Sequence, residues 1–169
     1  MRIATALFGA LALATAAQAH ITLQGKTAPV GSFHKVVLQV PHGCDGSDTT
    51  EIKVQIPEGV VDVKPQPKAG WTLQLTDGAY PQPVKLHGAT LDHGVREVSW
   101  SGDLPDAYYD EFAFMAYLAP SLKAGQTLYF PVVQTCKKGV ARWIDTTGNH
   151  QAANPAPSLK LAPATHAGH

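Results

Sequence analysis

Cysteine is scarce in this 169-residue chain, with two copies, and neither sign of charge is in excess: 13 Lys/Arg stand against 13 Asp/Glu. A balance this close to neutral leaves no electrostatic footprint for nucleic acid or an anionic membrane surface, so neither is an expected partner. Beyond the first nineteen residues no stretch approaches twenty apolar residues, so no membrane-spanning helix is expected there. Apolar residues recurring with a period of 3.6 are also nearly absent, which argues against a helical bundle.

The first nineteen residues carry the marks of an export signal. Arg2 is a short positive segment, Ile3 to Ala14 an apolar one, and Ala17-Gln18-Ala19 an A-x-A cleavage site. Cleavage after Ala19 would make His20 the first residue of an exported protein, in the periplasm or on the outer face of the membrane. Removing this segment costs the chain one charged residue, Arg2, and leaves 150 residues, enough for one domain with its own core.

What is present instead is period-two alternation. In Thr50–Ile56, Ile52, Val54 and Ile56 alternate with Lys53 and Gln55, as in a strand with one wet face. Phe33–Val40, Gly70–Leu75, Val95–Trp100, Tyr109–Leu118 and Thr127–Thr135 also read as strands. Turn signals lie between them, among them Pro57-Glu58-Gly59, Asp77-Gly78, His87-Gly88 and Ser101-Gly102-Asp103. The pattern predicts an all-β fold, a single β-sandwich of Ig-like or cupredoxin-like arrangement, over residues 20–148. The Pro/Ala-rich stretch 149–169 reads as a solvated C-terminal tail, in which Leu159 and Leu161 are candidates for a short edge strand. His166 and His169 close it, as a frayed end or a metal clip.

In an exported protein the even pair Cys44 and Cys136 reads as a disulfide, because the compartment is oxidising and the two form no C-x-x-C motif. The chemistry of His20 is more specific. A histidine at a chain start brings two nitrogens to one metal, its α-amine and its ring Nδ1, which together close a six-membered chelate. Both lose their protons readily near neutral pH. Two nitrogen donors in tetragonal geometry favour Cu(II), highest in the Irving–Williams order. His42 and Asp45, in the loop after Val40-Pro41, are candidates for further ligands if that strand neighbours the N-terminal one.

Several segments, in this order, make the chain resemble the YcnI-like family of exported copper-binding proteins. They are His20-Ile21-Thr22-Leu23, Val40-Pro41-His42-Gly43-Cys44, Ile56-Pro57-Glu58-Gly59-Val60, Gly70-Trp71, Trp100-Ser101-Gly102, Asp110-Glu111-Phe112 and Gln134-Thr135-Cys136 followed by Trp143. The resemblance implies a β-sandwich that binds one Cu(II) per chain through the amine and imidazole of its first residue plus an acidic side chain, with a tryptophan beside the metal. His20 and Trp143 match that pattern directly. Many members place a glutamate two positions after the Val-Pro pair; here that position is Gly43, and Asp45, then His42, are the substitutes.

Three functions compete at this stage. The first is a copper chaperone, buffer or sensor whose partner is another copper-handling protein or a membrane transporter. The second is a copper-dependent polysaccharide monooxygenase, which needs a second histidine; His34, His42, His87, His93 and His150 are formal candidates. The third is a metal-free adhesion or assembly domain.

Overall fold

The computed structural model describes residues 20–149 and 152–165; the expected signal segment 1–19, His150, His166 and His169 lie outside the described residues. Twelve strands and no helix occur among the described residues. In chain order they are β1 (Thr22–Leu23), β2 (Thr27–Pro29), β3 (Ser32–Val40), β4 (Thr49–Gln55), β5 (Val60–Pro65) and β6 (Thr72–Leu86). The second half holds β7 (Ala89–Leu104), β8 (Asp110–Leu118), β9 (Thr127–Tyr129), β10 (Val132–Cys136), β11 (Val140–Trp143) and β12 (Ser158–Ala162).

Alternation explains how these strands layer. β4 buries Ile52 and Val54 and turns Lys53 and Gln55 outward; β8 buries Phe112, Phe114, Ala116 and Leu118. These inner faces belong to a four-stranded sheet in the order β1-β3-β8-β5 and a five-stranded sheet in the order β11-β10-β4-β7-β6. A small third sheet, β2-β12-β9, closes one flank. Trp100, Phe112, Phe114 and Phe130 fill the common core, and Trp71 meets Phe112 edge-on at 4.8 Å. The fold is all-β and immunoglobulin-like.

Three expectations are corrected, and one strand that was not foreseen is added. Thr127–Thr135 is two strands: Pro131, which has no N–H to donate, separates β9 from β10, and the halves join different sheets. Asp77-Gly78 is not a turn but a bulge in a long β6–β7 hairpin, whose tip is His87-Gly88. Both tip residues have positive φ, 48° and 81°, the combination of a type I′ turn. Val60–Pro65 is a strand, β5, although its alternation is broken by the adjacent buried pair Val60 and Val61. The domain does not end at 148, since β12 pairs with β2 on one side and β9 on the other. Leu159 and Leu161, 0% and 2% exposed, make it an interior strand of the small sheet, each side chain contributing about 1.5–3 kcal/mol by burial.

Candidate metal centre

His20 is positioned by the residues that follow it. Ile21 and Leu23 point into the core, and β1 lies antiparallel to the end of β3, with Thr22 opposite Gln39 and Leu23 opposite Leu38. Alternation then places His20 and Thr22 on the other face. The half-buried His20 ring meets the Trp143 indole edge-on, with centroids 5.6 Å apart and planes at 64°. The sequence places these two residues at opposite ends of the domain, and the fold brings them together.

Trp143 is itself locked. It is 5% exposed, on β11, and its Nε1–H donates to Oε1 of Gln134 at 3.1 Å. Gln134, fully buried on β10, donates through Nε2 to the His42 carbonyl at 2.7 Å and to Thr49 Oγ1 at 2.8 Å. One side chain therefore ties β11, β10, β4 and the loop after β3. The Cys44–Cys136 disulfide fastens the same place, with Cα atoms 6.0 Å apart. The sequence reading named Gln134 only as part of the Gln134-Thr135-Cys136 segment and gave it no role, although a polar residue at an inward position between Val132 and Cys136 was a usable signal.

The loop after β3 holds the expected further ligands. His42 bonds through Nδ1 to the Gly43 carbonyl at 2.6 Å, and its own carbonyl serves Gln134. Asp45 stands exposed at the tip of a Cys44–Ser47 turn closed by reciprocal backbone bonds of 2.9 Å. Its φ of 48°, with 81° at Gly46, again describes a type I′ turn. Gly43, where the family pattern has a carboxylate, has no room for one. A Cβ there would lie 1.9 Å from the Ser47 carbonyl oxygen, and its N–H donates to Asp106 Oδ1 at 2.9 Å. Asp48 braces the loop from outside, bonding Lys137 Nζ at 2.8 Å and the Asp106 N–H at 2.9 Å, and these bonds hold its carboxyl below the ordinary carboxylate range.

His20 opens onto a groove of about 660 Å³ that it shares with Thr22, Lys26, Tyr129, Asp145, Asn149 and Lys160, among others. Neither His42 nor Asp45 lines this groove; its carboxylate is Asp145, which the sequence reading did not single out. Oδ1 of Asp145 accepts the Thr147 hydroxyl at 2.6 Å and the Thr147 N–H at 2.8 Å, and the carboxyl is held below its ordinary range by those bonds.

The other histidines are dispersed. His87 stacks on Phe33 at 6.0 Å, near the opposite end of β3 from Gln39, roughly 20 Å along the strand. His93 pairs with Asp92 at 2.6 Å, and His34 is half-buried on β3, where desolvation lowers its pKa. Among the described residues no three His, Cys, Asp or Glu side chains stand together as a metal cluster. A brace needs fewer, because one histidine at a chain start supplies two donors. Within the uncleaved chain the His20 backbone nitrogen is a peptide nitrogen bonded to Ala19, and the residue offers its ring alone. The donor set thus fits copper(II) once that bond is cut: amine, accessible imidazole, and a carboxylate in the same groove.

A family profile described as a domain of unknown function, DUF1775, matches residues 20–161. A crystal structure of an uncharacterised protein from Nocardia farcinica, described as revealing an immunoglobulin-like fold, superposes with a TM-score of 0.61. Its sequence is 23% identical, and the match covers 85% of this chain and 98% of that one. No curated protein matches.

Proposed function

This chain belongs to the DUF1775 family, the YcnI-like family domain, and from that premise we propose that it is an exported copper(II)-binding protein. Its role is that of a chaperone, buffer or sensor holding one Cu(II) per chain. The observation that carries this reading is the setting of His20. It stands where the family match begins, directly after an A-x-A site, and its ring lies against a locked tryptophan in an open groove. In the processed protein the amine and imidazole of His20 hold the ion, and Gln134 keeps Trp143 in place beside it. The ion is the cargo, which the open groove would leave accessible for transfer to a second copper-handling protein or a membrane transporter.

Export is part of the proposal, and the Cys44–Cys136 disulfide is compatible with an oxidising compartment. A binding role is preferred over a monooxygenase because that chemistry asks for a second imidazole beside the first. Among the described residues, His20 is the histidine that lines the groove.

The test compares the processed protein, beginning at His20, with a version carrying one extra residue before it. The extension keeps the imidazole and removes only the chelating amine. Cu(II) affinity, measured by competition titration, should fall by more than the roughly 10–100-fold typical of losing an outer-shell partner. Equal affinities for the two forms would refute the brace.

A further inference from the structure

We propose that Asp145 supplies the carboxylate ligand that completes the copper(II) site at His20, in place of Asp45 or an acidic side chain at position 43. The inference rests on the copper reading above and deepens it.

The geometry closes the alternative first. At position 43 a side chain of any kind would collide with the Ser47 backbone, since a Cβ would lie 1.9 Å from its carbonyl oxygen. Asp45, on the tip of its turn, does not line the groove that His20 opens onto.

Asp145 does line it. The chain leaves β11 after Trp143, which packs on His20, and turns at once, the Ile144 N–H donating to the Arg142 carbonyl at 3.0 Å, so that Asp145 enters the wall of the groove. The backbone at Asp145 is clamped on both sides. Its N–H donates to the Asn154 carbonyl at 3.1 Å, and its carbonyl accepts the Ala156 N–H at 2.8 Å. The carboxylate is also oriented, because both Thr147 bonds fall on Oδ1. A carboxylate fixed in this way by outer hydrogen bonds is how ligating carboxylates are ordinarily held. An oxygen donor beside two nitrogens suits Cu(II) in tetragonal geometry.

Asp145→Asn is the informative variant, since an amide oxygen still accepts both Thr147 bonds while the anionic donor is lost. Processed wild-type, Asp145→Asn, Asp145→Glu, Asp45→Asn and His20→Ala proteins would be titrated with Cu(II), their EPR spectra recorded, and their thermal unfolding followed. We expect Asp145→Asn to bind at least about tenfold more weakly, with changed copper g and hyperfine values and a cooperative melting curve lowered only slightly, since the amide keeps both Thr147 bonds but not the charge. Asp145→Glu should recover part of the affinity, and Asp45→Asn should match the wild type. If Asp145→Asn gives wild-type affinity and spectrum while His20→Ala loses the ion, Asp145 is not the ligand and the His20 reading stands. If His20→Ala also binds as the wild type, both fall together.

Discussion

Gln134→Leu isolates the buried link on which the position of Trp143 depends. Leucine is close to glutamine in volume, so the change opens little cavity in a site that is 0% exposed. It removes three hydrogen bonds, to Trp143 Nε1, the His42 carbonyl and Thr49 Oγ1. The Thr49 hydroxyl can rotate, and it already lies 3.9 Å from Cys136 Sγ. The indole N–H and the His42 carbonyl are left without the partner they had. Each buried group stranded in this way costs about 1–3 kcal/mol. Leucine recovers about 1–2 kcal/mol through its apolar surface. At the middle of these ranges two stranded groups cost about 4 kcal/mol and leucine recovers about 1.5, a net loss of about 2.5 kcal/mol, a large share of the roughly 5–15 kcal/mol that stabilises a domain.

Urea unfolding of the oxidised protein, followed by tryptophan fluorescence and circular dichroism, measures this loss. At a slope of roughly 1–3 kcal/mol/M the midpoint should fall by about 1 M or more. A second substitution, Trp143→Phe, removes the stranded N–H, so the double variant should lose less than the two single losses added together. If Gln134→Leu unfolds within about 0.5 kcal/mol of the wild type, the range of an ordinary surface change, Gln134 is not the tie described.

Two further outcomes follow from the loop after β3. Gly43→Ala places a Cβ against the Ser47 carbonyl at 1.9 Å, so the disulfide-bearing turn must shift; a loss of about 2–4 kcal/mol is expected in thermal or urea unfolding, and a wild-type melting curve would refute the clash. Asp48 is held below its ordinary pKa of about 4 by Lys137 and the Asp106 N–H, so its stabilising effect is present above that value and fades as pH falls through the lower folded value. Asp48→Asn should therefore unfold at lower urea than the wild type at pH 7, and the two should converge in acid.

Much of the fold was legible because alternation reports burial directly. β3, β4 and β8 match their sequence patterns to within a residue or so at each end, and Cys44 and Cys136 form the disulfide that their even count suggests. The failures share a physical cause. β12 is short and flanked by prolines, and only its two tertiary partners make it an interior strand. Asp77-Gly78 has turn chemistry, yet the hairpin absorbs it as a bulge because β7 continues to pair on the far side. Local preference yields wherever a neighbouring strand satisfies the backbone.

The candidate site was legible in its unusual members and hidden in its ordinary ones. His20 was marked by the cleavage signal and Trp143 by the family pattern, so both could be named without coordinates. Asp145 carries no local mark, being one acidic residue among 13. What distinguishes it is its place: it lines the groove that His20 opens onto, and that relation exists only once β1 and the chain after β11 are placed. Asp45, the expected substitute, stands exposed on a turn of positive φ and does not line that groove. Spacing along the chain favours the loop at 42–45, whereas the shared groove favours 145.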